Sequence, residues 1–202
     1  TSGLSGSDVD VIKQAPGIRR GVDGKPLASA EMIVIAELVR QGDEKNGANI
    51  TVRGVEANAF ALRPQLKIVE GRKFRTGLRE LIVGRGVTRQ FQGAELGKVV
   101  RMRGSDWTVV GVFESGDAYD SELWADAEVA QSTFNRGGYS SILVGLDGAN
   151  GLKTLQDNLK SDPRLSVDVK GQQEYFSGQT KNFRQQIGFL AGGEVRSLDL
   201  RA

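Results

Sequence analysis

The sequence predicts an α+β chain in which a discontinuous α/β subdomain, assembled from both ends, carries a β-rich subdomain inserted in its middle. Three observations predict it. Residues 1–56 and 139–190 hold long strand and helix patterns, whereas residues 57–138 break into short strands punctuated by glycine. The strand–helix–strand pattern after residue 139 has no partner sheet unless it joins the first two strands. At 202 residues, 39% of them apolar, the chain suffices for one substantial domain or two small ones.

The elements follow in order. Ser7 is read as the N-cap of a helix over Asp8 to Gln14, with Val9, Ile12 and the following Ala15 on one face and Pro16-Gly17 as the stop. Val22-Asp23-Gly24-Lys25-Pro26 is turn chemistry. Leu27 to Arg40 is rich in β-branched residues and predicts a long strand, which polar Gln41 to Asn46 connects to a hairpin partner over Asn49 to Glu56. Short strands are expected at Leu66–Val69, Leu81–Val83, Lys98–Arg103 and Thr108–Phe113, with a helix over Val87–Phe91 and a three-residue hairpin at Gly104-Ser105-Asp106. Asp126 to Phe134 predicts a helix and Ser140 to Leu146 a strand. Asn150 is expected to cap a helix striped by Leu152, Leu155 and Leu159, before a strand through Leu165, Val167 and Val169. A last helix, Gln172 to Leu190, aligns Phe176, Phe183, Ile187 and Leu190. Residues 191–202, native or added, are set aside as a tail.

Composition excludes several functions. A net charge of +2, from 27 basic and 25 acidic residues scattered singly, gives no stripe for a phosphate backbone, so no nucleic acid is expected. Absent cysteine removes disulfides, thiolate nucleophiles and the usual structural zinc sites without fixing the compartment, and absent histidine removes Ser-His-Asp and Cys-His catalysis. The longest apolar run, Met32 to Ala36, falls far short of the roughly 20 residues that cross a bilayer. The start at Thr1, with neither Met nor a leader, reads as a trimmed piece.

Several motifs invite chemistry and each has a plainer reading. Leu81-Ile82-Val83-Gly84-Arg85-Gly86-Val87-Thr88-Arg89 holds two of the three glycines of a dinucleotide fingerprint, but Arg89 takes the third position and Asp106 falls in a turn, so a tight turn is expected. Asp117, Asp120, Glu122, Asp126 and Glu128 lack the spacing of a calcium loop; a solvated loop and an acidic helix start explain them, and their separation as an acid–base pair is not readable. Trp107 and Trp124, candidates for stacking on a sugar or lipid, are expected in a core or between subdomains. Ser140 and Ser141 follow Gly138-Tyr139 without a nucleophile elbow. Tyr175, Phe176, Phe183 and Phe189 read as a core face, a ligand groove or the approach to a bilayer. No catalytic, cofactor-binding or metal residue is assigned, and no cofactor is expected.

One series of motifs points to a family: Val69-Glu70-Gly71-Arg72-Lys73-Phe74, then Glu80-Leu81-Ile82-Val83-Gly84, Phe91-Gln92-Gly93-Ala94-Glu95-Leu96-Gly97-Lys98, and Trp107-Thr108-Val109-Val110-Gly111-Val112-Phe113. Together they resemble the periplasmic core domain of MacB-like (FtsX-like) ABC transporter permeases, most densely over residues 50–115. The resemblance implies a porter-like α/β subdomain, residues 1–56 plus 139–190, with an inserted β-rich subdomain, residues 57–138. It implies a non-catalytic periplasmic domain of a bacterial inner-membrane permease, coupling ATP-driven motion to substrate export or extraction. Implied partners are the permease's transmembrane helices, a second permease subunit forming a dimer, a cytoplasmic ABC ATPase and a periplasmic adaptor protein. Ile187-Gly188-Phe189-Leu190-Ala191 would then begin a membrane helix. The rival reading, a free-standing periplasmic binding protein or carbohydrate-active enzyme, requires a deep pocket with convergent polar groups.

Overall fold

The computed structural model describes residues 3–40, 42–165, 185–191 and 194–200. Along the chain the elements are α1 (Gly6–Lys13), β1 (Ala28–Arg40), β2 (Asp43–Val55), β3 (Lys67–Gly71), β4 (Glu80–Gly84), α2 (Arg85–Gln90), β5 (Val99–Met102), β6 (Ser105–Glu114), β7 (Glu122–Asp126), α3 (Ala127–Phe134), β8 (Ser141–Gly145), α4 (Gly151–Ser161), β9 (Gln185–Ala191) and β10 (Glu194–Leu200), with 3-10 turns at Ala57–Ala59 and Ala118–Ser121. This is an α+β fold, as the sequence predicts. Contacts divide it into two compact units, Thr1–Glu31 with Gly137–Ala202, and Met32–Arg136. Strand β1 contributes to both: Ala28–Glu31 pair with β8, and Met32–Arg40 with β2.

In the first unit β8 lies between antiparallel β1 and parallel β9, and β10 returns antiparallel along β9. Helix α1 begins at Ser5 rather than Ser7, because Asp8 stands three residues beyond Ser5 and completes a capping box: Ser5 Oγ accepts from Asp8 N at 3.1 Å, and Asp8 Oδ2 accepts from Ser5 N at 2.8 Å. Asn150 does precede α4, but its side chain makes no capping bond. Val9 and Ile12 of α1 and Leu155 and Leu159 of α4 bury against Ala30, Ile142 and Val144.

In the second unit the strand order is β1-β2-β7-β4-β6-β3, with β5 beside the first half of β6. Every residue of β4 and β7 is buried. One apolar cluster, which includes Leu81, Val83, Trp107, Val109 and Leu123, lies on one side of these strands; Ile82, Phe113, Tyr119 and Trp124 belong to another. A strand buried on both faces reads as a short apolar run rather than an alternation.

Several expectations are corrected. β7 was hidden by its charged ends, Glu122 and Asp126, around Leu-Trp-Ala. The turn between β5 and β6 has two residues, not three: Met102 pairs with Ser105, and Arg103 (φ 50°) and Gly104 (φ 75°) both take the left-handed backbone that such a turn demands. The link from β1 to β2 is equally tight, since Arg40 pairs with Asp43. The predicted final helix is overturned over 185–190, which form β9. A short apolar run cannot be told from a buried helix by periodicity, Gly188 disfavours helix by about 1 kcal/mol relative to Ala, and parallel pairing to β8 decides the outcome. Ile187 and Leu190 therefore sit on a strand, while Tyr175, Phe176 and Phe183, like the strand expected through Val167 and Val169, lie outside the described residues. The stretch set aside as a tail holds β10.

Candidate functional site

The five acidic residues singled out in the sequence do not converge. Asp117 and Asp120 organise their own loop: Asp117 accepts from Tyr119 N at 3.0 Å, and Asp120 accepts from the backbone N–H groups of Ser115 (2.6 Å) and Gly116 (2.9 Å). Asp126 caps α3 by accepting from Val129 N, and Glu128 is exposed in the first turn of that helix. Glu122 points into the interior. Among the described residues no group of acidic side chains is arranged to hold a metal ion.

The glycines of the fingerprint-like segment serve a backbone contact. A Cβ on Gly84 would lie 2.2 Å from the carbonyl oxygen of Asp120, and one on Gly86 would lie 2.8 Å from it. The space in which a phosphate would meet the start of α2 is thus filled by the 3-10 turn Ala118–Ser121, and only glycine permits that approach. Asp106 sits in β6 opposite Arg101, not in a turn. Trp107 and Trp124 are both fully buried, as expected of core residues. Ser141 is buried on β8, and the backbone N–H of Ser140 donates to Glu31.

Two charged constellations not anticipated from the sequence organise the second unit. Glu122 accepts from Arg53 Nε at 2.7 Å, from Arg53 Nη2 at 2.9 Å and from Trp124 Nε1 at 2.8 Å, so a bidentate ion pair and an indole share one carboxylate in the interior. The guanidinium carbon of Arg63 lies 4.8 Å from the Tyr119 ring centre and 4.9 Å from that of Trp124, and Arg53 lies 5.1 Å from Tyr119. The rings therefore face positive charge with their electron-rich sides.

The second constellation is Glu80 with Arg72 and Arg75. Arg72 donates from Nη1 (2.8 Å) and Nη2 (2.7 Å), and Arg75 donates from Nε (3.1 Å), Nη2 (2.8 Å) and its backbone N (2.8 Å). Arg72 foremost holds the Glu80 carboxyl well below the usual carboxylate range, against the opposing effect of burial. The Gly-Arg-x-Phe motif thereby acquires a physical meaning: Arg72 engages Glu80, and Phe74 packs on Phe60 with ring centres 5.8 Å apart. A signal was available, because a glutamate opening the apolar run Glu80–Gly84 requires a cation once that strand is buried.

Comparison with known proteins agrees with this architecture. The family model of the MacB-like periplasmic core domain matches residues 1–162. No curated protein matches the sequence significantly. Among solved structures the fold is similar to the extracellular domain of the noncanonic ABC-type transporter YknZ from Gram-positive bacteria (TM-score 0.58, 20% identity, covering 76% of this chain and 79% of that one). It is similar also to the periplasmic region of MacB from Actinobacillus actinomycetemcomitans (TM-score 0.57, 16% identity, covering 80% and 75%). A third likeness is a domain of a putative permease protein from Porphyromonas gingivalis (TM-score 0.54, 16% identity, covering 79% and 70%). With the match spanning 162 of 202 residues and the fold in agreement, the chain belongs to the MacB-like periplasmic core domain family of ABC transporter permeases.

Proposed function

We propose that this domain works as the extracytoplasmic moving part of a permease subunit, coupling ATP hydrolysis by a cytoplasmic ABC ATPase to export or extraction of a substrate. In this reading the chain's two ends form the porter-like part and its middle the inserted β-rich part. The domain is non-catalytic and stands on the outer side of a bacterial inner membrane, paired with that of a second permease subunit and open to a periplasmic adaptor protein. The family match over residues 1–162 carries the reading. The first unit adds support: Leu4 bridges Tyr139 just before β8, and Leu200 pairs with Gln185 beside the start of β8, so both lie at one end of the same sheet.

The absence of cysteine makes the test direct. In the full-length permease reconstituted with its ATPase, with any cysteine outside this chain replaced by serine, Lys25→Cys or Glu95→Cys would each carry one spin label per subunit, both positions being exposed. Distances between the paired labels should change when the ATPase is trapped with vanadate. Unchanged distances in a complex that still hydrolyses ATP would overturn the coupling.

A further inference from the structure

The Glu80 constellation keeps its two cations at the surface. Strands β4 and β5 flank β6 at one level, where Glu80 and Val99 are both register partners of Thr108. Directly opposed residues share a face, so Val99, Thr108 and Glu80 point the same way, and Arg101 and Asp106, two positions further along, join them. On that face the Val99 residue is 57% exposed, and the side chains of Arg72, Arg75 and Arg101 are 47%, 67% and 71% exposed. Leu96, 43% exposed, reaches Gly71, the residue preceding Arg72.

Charge balance then identifies what is missing. Glu80 is one anion between two guanidinium groups, and its oxygens already accept from both arginines and from the backbone. One positive charge is left over. Arg75 Nη1 and Arg72 Nε make no hydrogen bond among the described residues, so the arginines are oriented from below while donors remain unused. Such a pre-positioned fork matches a carboxylate bidentately and loses little side-chain entropy on binding. The neighbouring segments 72–80 and 95–106 add Lys73, Arg79, Lys98, Arg101 and Arg103 against Glu95 and Asp106. The patch as a whole is cationic, and what favours a polypeptide over a plain anionic surface is the placing of exposed Val99 and Leu96 beside the arginines, which suits a segment presenting a carboxylate next to an apolar side chain.

We propose that Arg72 and Arg75, positioned by Glu80, dock a carboxylate of an acidic segment of a partner protein, whose neighbouring apolar side chain packs on Val99 and Leu96. The probe is a short peptide of alternating Glu and Leu, titrated into the isotope-labelled 202-residue chain and followed by amide shifts. Shifts should centre on Arg72, Arg75, Val99 and Arg101. Arg75→Ala and Arg75→Lys should each weaken binding roughly tenfold, the second because a point charge lacks the fork. Val99→Ser should weaken it about threefold, and Lys25→Ala not at all. Unchanged spectra outside the site establish that each variant is folded. Shifts spread over all basic residues, unaltered affinity of Arg75→Ala, or tighter binding of phosphatidylglycerol vesicles or inorganic phosphate than of the peptide would overturn the proposal. The titration needs no ATPase and is independent of the coupling test.

Discussion

Strands β4 and β7 lie side by side, and each begins with a glutamate exposed by less than a tenth, Glu80 at 6% and Glu122 at 8%. Their partners differ. Glu122 is closed by Arg53, whose side chain is 5% exposed, and by the indole of a fully buried Trp124. Glu80 is held by arginines that are about half and two-thirds exposed. Burial of a carboxylate alone therefore does not tell its role: in one case every participant is withdrawn from water, in the other a buried anion anchors two cations that remain at the surface. The first arrangement serves the interior packing, while the second leaves charge and donors for a ligand.

The largest effect that would test this contrast is expected at the closed pair. Arg53→Ala or Glu122→Ala should each cost about 3–5 kcal/mol in urea unfolding, since either leaves a buried charge without its ion-pair partner, whereas Arg53→Met with Glu122→Gln, which keeps an acceptor for Trp124 Nε1, should recover part of the loss. A double variant no better than the singles would show that the charges themselves are needed.

Glu80 gives a smaller effect with a distinctive pH dependence. Its folded pKa is depressed, so its contribution is present above the unfolded carboxylate value and is lost as pH falls from there toward the folded value. Glu80→Gln should cost about 1–3 kcal/mol near neutral pH, with the gap from the parent narrowing steadily below about pH 4.5. A pH-independent gap would mean that the ion pair contributes nothing beyond shape. Smallest of all, Arg101→Ala should change stability by no more than about 0.5 kcal/mol, because its 3.4 Å contact with Asp106 joins two largely exposed side chains.

Much of the architecture was legible because it is written locally. The stretch Leu27–Arg40 announced β1, the stripe of Leu155 and Leu159 announced α4, and Asp126 marked the start of α3. Strand β7 was missed because charged residues at both ends of Leu-Trp-Ala mask an apolar run that is only as long as the strand is buried. The residues of β9 were misread because Ile187 and Leu190 align with Phe176 and Phe183 as a helical stripe, while the short apolar run itself carries no period that separates helix from strand.

The sequence by itself determined the α+β class, the family, and the exclusion of histidine and cysteine chemistry, since composition, local periodicity and contiguous motifs are properties of the chain alone. Tertiary structure decided which charges meet. Arg53 and Glu122 are 69 residues apart and come together only because β2 and β7 pair in parallel with Arg53 opposite Trp124. Arg72 and Arg75 are close to Glu80 in sequence, yet they share its carboxylate only once β3 and β4 are laid on either side of β6 and the connecting loop must close over that strand. Likewise Gly84 reads as part of a nucleotide fingerprint until the turn at Asp120 occupies the space above it. An ion pair or a close backbone approach is a property of two segments, and its meaning appears only when the fold brings the second one into place.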